Sequence, residues 1–351
     1  MRSLDFLRAG FLGAGILGAA ALVFVLIEGT ALRAQPALTA YAQPQALVAL
    51  EGGRRINLVC QGPNQGPNQG QGAPTVILTA GVGDWSASWN AVQPLVARTT
   101  RVCAWDRPGF GHSDASPQIQ SADKLADDLA AALKAGGIAA PYILVAHSAG
   151  SFETLLFADR HRAEVAGMVL VDPSPPDIAE RIGAVSPLAQ KLLLGDLANR
   201  AGALSRCAAG PAAAAPADAG ICFRLPEHAR PLAETFAARD QDPQRLQTRA
   251  SLFAQFEANT RLLHNPVRNY GNMPLAVLTS EKTPAAALPT EQPARTAALE
   301  ALWNRSHDEM AALSRRGSNR IVPGTGHQIQ LEQPQAVAAA IARVVEQARE
   351  R

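Results

Sequence analysis

Leu144-Val145-Ala146-His147-Ser148-Ala149-Gly150-Ser151 decides how this chain is read. Tyr142–Ala146 is a run of apolar and β-branched residues, a buried strand by length and composition, and Phe152–His161 reads as a helix. A strand that runs into a serine and at once into a helix makes a sharp turn. That turn lifts the hydroxyl out at the strand end, and the backbones approach so closely that small residues are needed on both sides. The usual pattern is Gly-x-Ser-x-Gly; here Ala146 stands for the first glycine and adds a methyl. Because the serine opens a helix, unpaired N–H groups and the helix dipole favour negative charge beside it. Ser148 therefore reads as a nucleophile, with the Ala149 N–H as one donor to the oxyanion of an attacked carbonyl. A second donor belongs on the loop after the Thr75–Thr79 strand, where Ala80-Gly81-Val82-Gly83 offers the N–H of Val82. Losing one such donor costs about 3–4 kcal/mol of transition-state stabilisation.

Outward from this turn, strands and helices alternate. Ala46–Leu50 and Ile56–Cys60 are short β-like runs joined by the turn Glu51-Gly52-Gly53-Arg54. Thr75–Thr79, Arg101–Trp105, Met168–Val171, Leu275–Thr279 and Arg320–Val322 are further strands. Asn90–Ala97, Ser121–Ala135 and Val337–Ala348 read as helices, the second stopped by Gly136-Gly137. Gly62 to Gly72 is a tandem of Gly-Pro-Asn-Gln units, a polar loop without core-forming residues. Near-continuous apolar strands separated by helices predict an α/β fold, a mainly parallel sheet covered on both faces. Between about Ser174 and Asn269 no strand is evident and the Ala/Leu-rich runs are helical, which reads as a cap over the site.

Four motifs occur in a set order: the Ala146-His147-Ser148-Ala149-Gly150 elbow; Asp106-Arg107-Pro108-Gly109-Phe110-Gly111-His112-Ser113; Val169-Leu170-Val171-Asp172-Pro173-Ser174; and Gly324-Thr325-Gly326-His327. On these motifs the chain resembles the α/β-hydrolase superfamily from about residue 45 to the C-terminus, most closely its bacterial members with such an elbow. The resemblance implies an eight-stranded sheet with a helical cap after the sixth strand, here about residues 175–269. It also implies that the segments of Cys60 and Cys103 are neighbours in the sheet. It further implies ester, thioester or amide hydrolysis without a cofactor, but names no substrate, since one fold hosts many activities.

A serine hydroxyl needs a base in hydrogen-bond reach, held in one tautomer by a carboxylate. His327 follows a strand and a glycine turn near the C-terminus and is the candidate base, able to take and return a proton near neutrality. Two carboxylates compete for the acid. At the common position after the seventh strand, in Thr279-Ser280-Glu281-Lys282-Thr283, Thr283 stands where an aspartate is usual, with Glu281 nearby. Asp172, at the end of the sixth strand, is the preferred choice, and Glu281 the alternative. His147 is expected to line the site or pack beside it. Asp106, Arg107 and His112 read as ties within their loop; Trp85 and Trp89 as pocket lining or helix packing; and Trp303 and His307, four apart on a helix, as core and surface respectively.

Composition bounds the rest. The 351 residues are 47% apolar with a formal net charge of +2 and no basic run, which gives no reason to expect a nucleic-acid partner. No His/Cys grouping has metal-ligand spacing, so no metal is expected, and the resemblance implies no cofactor. Ala9 to Ile27 carries no charge and is long enough to cross a bilayer, with Arg2 and Arg8 before it. Residues 1–35 read as a membrane anchor, or alternatively as a cleaved signal ending near Ala40-Tyr41-Ala42, and 36–45 as a linker. Either way residues 46–351, the hydrolase domain, would lie outside the cytoplasm, on the periplasmic side or secreted. There, Cys60, Cys103, Cys207 and Cys222 permit two disulfides, and Cys207 with Cys222 can close an Ala/Pro/Gly loop; four buried free thiols are the alternative. The sequence thus predicts a serine carboxylester hydrolase acting on a small ester-like substrate through an acyl-enzyme. A peptidase, thioesterase or perhydrolase on the same fold, or a non-catalytic ligand-binding module, are the alternatives. Epoxide hydrolases and dehalogenases of this fold use an aspartate nucleophile, against which Ser148 argues. The sequence says nothing of oligomeric state.

Overall fold

The computed structural model describes residues 38–63, 74–223 and 225–350. The uncharged Ala9–Ile27 stretch and most of the Gly-Pro-Asn-Gln loop lie outside them. Among the described residues no helix is long and apolar enough to cross a membrane. Eight strands form one sheet: β1 (Ala46–Ala49), β2 (Arg55–Gln61), β3 (Thr75–Thr79), β4 (Val102–Trp105), β5 (Tyr142–His147), β6 (Val165–Val171), β7 (Leu275–Ser280) and β8 (Gly317–Val322), in the order β1-β2-β4-β3-β5-β6-β7-β8. The β1–β2 and β2–β4 pairs are antiparallel and the others parallel. The central strands are buried along their whole length, as a sheet covered on both faces requires.

The turn between β1 and β2 places Gly52 and Gly53 at φ +82° and +80°, a backbone that side chains rarely tolerate. The longer helices are α1 (Ala122–Ala135), α2 (Ser151–Arg160), α3 (Ile178–Val185), α4 (Pro187–Ala209), α5 (Pro243–Ala254), α6 (Phe256–Leu262), α7 (Pro293–Ala311) and α8 (Pro334–Arg349). Ser121 caps α1 by accepting from the Lys124 N–H, and Gly136 ends it. One core layer sets α8 against Val76, Val145, Val169 and Leu278; the other sets α1 and α2 against Ile77, Leu144 and Leu170. From Ile178 to Leu262, between β6 and β7, every described element is a helix, joined by short turns.

Three expectations need correcting. The helix read over Asn90–Ala97 is only one α-turn, Gln93–Val96, preceded by a 3-10 turn at Ser86–Trp89. The segment read as a linker is docked, not free: Tyr41 is buried, and its hydroxyl donates to Gln93 Oε1 at 2.6 Å. His307, read as a surface residue, has no exposed surface.

All four cysteines are paired. Cys60 and Cys103 face each other in the β2–β4 register and form one disulfide, and Cys207–Cys222 forms the other. The free-thiol alternative therefore falls.

Candidate active site

In a parallel sheet functional groups collect beyond the carboxyl ends of the strands. Here the loops after β3, β5, β6 and β8 meet there. Ser148 follows β5 at φ +52°, a left-handed backbone for a residue with a side chain. Such a backbone survives because its surroundings leave no alternative. A Cβ on Gly150 would stand 2.5 Å from the Ala80 carbonyl, so the helix can leave the turn only through a glycine there. A Cβ on Gly81 would stand 2.8 Å from His147 Nδ1 and 3.3 Å from Ser148 Cβ, so the loop after β3 lies directly on the elbow.

Ser148 Oγ is 2.8 Å from His327 Nε2, and His327 Nδ1 is 2.6 Å from Asp172 Oδ2. Asp172 is fully buried at the end of β6, itself at φ +42°. Its Oδ1 accepts from the Ser280 N–H at 3.0 Å and the Trp303 indole N–H at 3.2 Å, and its Oδ2 accepts from the Ser280 hydroxyl at 3.0 Å. Burial pushes this carboxyl up; the hydrogen bond from His327, the nearby imidazoles and the Ser280 N–H outweigh burial and hold it below the ordinary carboxylate value. Glu281 is exposed and accepts from the Gly324 N–H at 2.9 Å, bracing the loop that carries His327 instead of touching its ring. Of the two carboxylates read from the sequence, the structure brings only Asp172 to the imidazole.

His147 is buried against the same imidazole, with ring centroids 4.7 Å apart. Its Nε2 lies 2.9 Å from the backbone carbonyl of His327 and must carry the proton, because a carbonyl only accepts. Burial first, then the neighbouring His327, lower the His147 pKa to about 3, so the ring is neutral at ordinary pH.

Behind the elbow, Arg107 donates to Ala80 O at 2.6 Å, Gly81 O at 2.8 Å and Glu153 Oε1 at 2.7 Å on α2. This buried pair pins the loop of Val82 to the helix that starts at the elbow. Asp106 accepts from the N–H groups of Ser86 and His112 and from the Asn57 amide, the loop-tying role expected of it. The N–H of Ala149 belongs to the first turn of a helix, where no carbonyl lies one turn behind.

A cleft of about 940 Å³ opens between these loops and the helices inserted after β6. Val82 and Trp85 line it on one side, Gln328 and Leu331 beside His327, and Leu197 and Phe253 from α4 and α5. His228, from the inserted segment, reaches Asp84 across it at 3.2 Å. Trp85 therefore faces the cleft, whereas Trp89 is core. Among the described residues no group of three or more His, Cys, Asp or Glu could hold a metal.

Sequence reasoning missed Trp303 as a donor to the acid, the paired donors of Ser280, and the two-residue brace of Arg107 and Glu153. The spacing of Trp303 and His307 was the available signal: both lie on the α7 face turned to the bend after β6, where Trp303 reaches Asp172 and His307 Nε2 donates to Pro173 O at 2.9 Å.

Residues 74–334, well over half of the chain, match the alpha/beta hydrolase fold family. An uncharacterized Bacillus subtilis protein, YqjL, is 33% identical over 110 residues, 31% of this chain and 44% of that protein. The chain spans less than half the length of the curated relatives it matches. A thermophilic esterase from Thermogutta terrifontis is similar in structure with TM-score 0.53 and 19% identity, covering 87% of this chain and 99% of the esterase. A Bacillus megaterium epoxide hydrolase is similar with TM-score 0.60 and 14% identity, covering 86% and 100%. At such identities the likeness is one of fold. The sheet order, the four loops meeting at its carboxyl edge and the family match agree: this chain belongs to the α/β-hydrolase fold family.

Proposed function

We propose that the protein is a serine hydrolase of carboxylic esters, with Ser148 as nucleophile, His327 as base and Asp172 as the acid that orients it. The observation that carries this reading is the unbroken pair of contacts, Ser148 Oγ to His327 Nε2 at 2.8 Å and His327 Nδ1 to Asp172 Oδ2 at 2.6 Å.

The chemistry follows from the geometry. Ser148 Oγ attacks the ester carbonyl carbon as its proton passes to His327 Nε2, and the carbonyl π electrons move onto oxygen. The N–H groups of Val82 and Ala149 receive that oxyanion. Asp172, ionised and buried, keeps the His327 Nδ1–H in place and stabilises the imidazolium. The tetrahedral species collapses, the C–O bond to the alcohol breaks, and His327 returns its proton to the departing oxygen. Water then attacks the acyl-enzyme by the same route, releases the carboxylic acid and restores Ser148. The inserted helices act as a cap that walls the cleft.

Two disulfides in one domain support an oxidising compartment, and Ala9–Ile27 supports a membrane anchor holding the domain on the periplasmic side. The test of function is turnover of simple esters by the wild type against Ser148→Ala and His327→Ala. We expect both variants to lose activity by several decades while keeping the wild-type fold. A Ser148→Ala protein that hydrolyses esters at the wild-type rate refutes the assignment.

A further inference from the structure

We propose that Arg107 is a positioning residue of the oxyanion site, orienting the Gly81–Val82 peptide so that the Val82 N–H meets the developing charge. This rests on the serine-hydrolase reading above, in which the N–H groups of Val82 and Ala149 receive the oxyanion. The loop after β3 is poorly equipped to orient that peptide by itself. Gly81 has no room for a side chain, since a Cβ there would press on His147 Nδ1 at 2.8 Å. Gly83 stands at φ +78°, a backbone that favours glycine. With a glycine on each side of Val82, the backbone offers little resistance to turning the peptide over. Within the loop, a turn bond of 3.3 Å from the Asp84 N–H holds the Gly81 carbonyl. Arg107 adds a shorter and charged one, Nη1 to Gly81 O at 2.8 Å. In a planar trans peptide the C=O and the N–H point to opposite sides. Holding the Gly81 oxygen therefore fixes the direction of the Val82 N–H, on the side away from the guanidinium.

The rest of the guanidinium fixes the spacing of the two donors. Nη2 donates to Ala80 O at 2.6 Å, and Nε to Glu153 Oε1 at 2.7 Å. Glu153 lies in the first turn of α2, the helix that continues the turn of Ala149. One side chain thus bridges the loop of Val82 and the helix of Ala149, and both members of the ion pair are buried. The planar fork serves two carbonyls and a carboxylate at once. A lysine ammonium carries the charge without that spread. A cation on the carbonyl end also polarises the peptide and strengthens its N–H as a donor.

Two esters that differ in one atom test this in the full chain, phenyl acetate and phenyl thionoacetate. Sulfur accepts hydrogen bonds weakly, so the thiono ester draws little from the oxyanion donors. The intrinsic difference between the esters is the same for every variant and cancels when their rate ratios are compared. The wild type should cleave phenyl acetate faster by a factor of about 100 or more. Arg107→Lys should keep KM for phenyl acetate within about threefold and lower its kcat by about 30-fold or more. It should also narrow the preference for oxygen by about tenfold or more, which a merely structural lesion would not do. Arg107→Met combined with Glu153→Met removes both charges and leaves neither buried alone. This double variant should behave alike and covers the case in which Arg107→Lys does not fold. Losses equal for the two esters, or wild-type kcat in Arg107→Lys, overturn the proposal and leave the hydrolase reading standing. So does a wild type without preference for oxygen. If Ser148→Ala cleaves phenyl acetate as fast as the wild type, the hydrolase reading fails and takes this one with it.

Discussion

Replacing His147 by glutamine separates two things that one imidazole does. The Nε2–H of His147 holds the carbonyl of His327 at 2.9 Å, and the ring is kept neutral by burial. Glutamine can present an amide N–H in nearly the same place but cannot titrate. The wild-type pKa is about 3 in the fold against 6.5 for the free side chain, so between these values the unfolded chain binds one proton more than the native one. Stability therefore rises with pH across that window, by about 1.4 kcal/mol per unit. From pH 6.5, where half of the unfolded imidazoles are already protonated, down to 4.5 the wild type loses about 2.3 kcal/mol through this residue alone, and His147→Gln should not. Urea unfolding at pH 4.5, 5.5, 6.5 and 7.5, extrapolated linearly for both proteins, gives the two slopes. Subtracting them removes the titrating groups that do not interact with His147 and leaves its own contribution together with its coupling to His327 and Asp172. In the same samples ester turnover at pH 7.5 should stay within a few-fold for glutamine. His147→Phe, which leaves a buried carbonyl without a donor at a cost of about 1–3 kcal/mol, should drop kcat by about tenfold or more. Parallel stability profiles for wild type and His147→Gln would refute the buried neutral imidazole. Full kcat in His147→Phe would show that the His327 loop needs no such anchor.

Other outcomes follow from single contacts. Asp172→Asn should lower kcat by about four decades in ester assays, whereas Glu281→Gln, at an exposed carboxylate that accepts from the Gly324 N–H, should cost less than tenfold. Trp303→Phe removes one of the N–H donors to a buried carboxylate and should destabilise the fold by about 1.5–3 kcal/mol in urea at pH 7. That loss should shrink in acid as Asp172 protonates, because a carboxylate held below its ordinary pKa contributes stability only while ionised. Cys60→Ser with Cys103→Ser opens a loop of 43 residues and should cost about 4 kcal/mol, against about 3 for the 15-residue pair Cys207 and Cys222, read from denaturation midpoints of the double variants.

The fold was legible because its central strands announce themselves. Val76, Ile77 and Leu78 in β3, or Ile143, Leu144 and Val145 in β5, are apolar on both faces, which in a chain with intervening helices means a covered parallel sheet. The edge was less legible. β8 runs Gly-Ser-Asn-Arg-Ile-Val with Ser318 and Arg320 exposed, so only its last three residues looked like a strand. The same logic governs the site. Ser148, His327 and Asp172 sit in local turns whose glycine, proline and small-residue chemistry is written in consecutive positions. Trp303 and Arg107 act across 131 and 46 residues of separation, where no local pattern records the partner. Tyr41 was misread for a related reason: a Pro- and Ala-rich segment looks unanchored until the Gln93 side chain that binds it is known.

The most direct measurement is peptide mapping by mass spectrometry after exposure to a fluorophosphonate. The account predicts a single adduct, on the peptide that carries Ser148, absent from Ser148→Ala and slowed by orders of magnitude in His327→Ala. An adduct on another serine, or labelling of Ser148 that is as fast without His327 as with it, would contradict it.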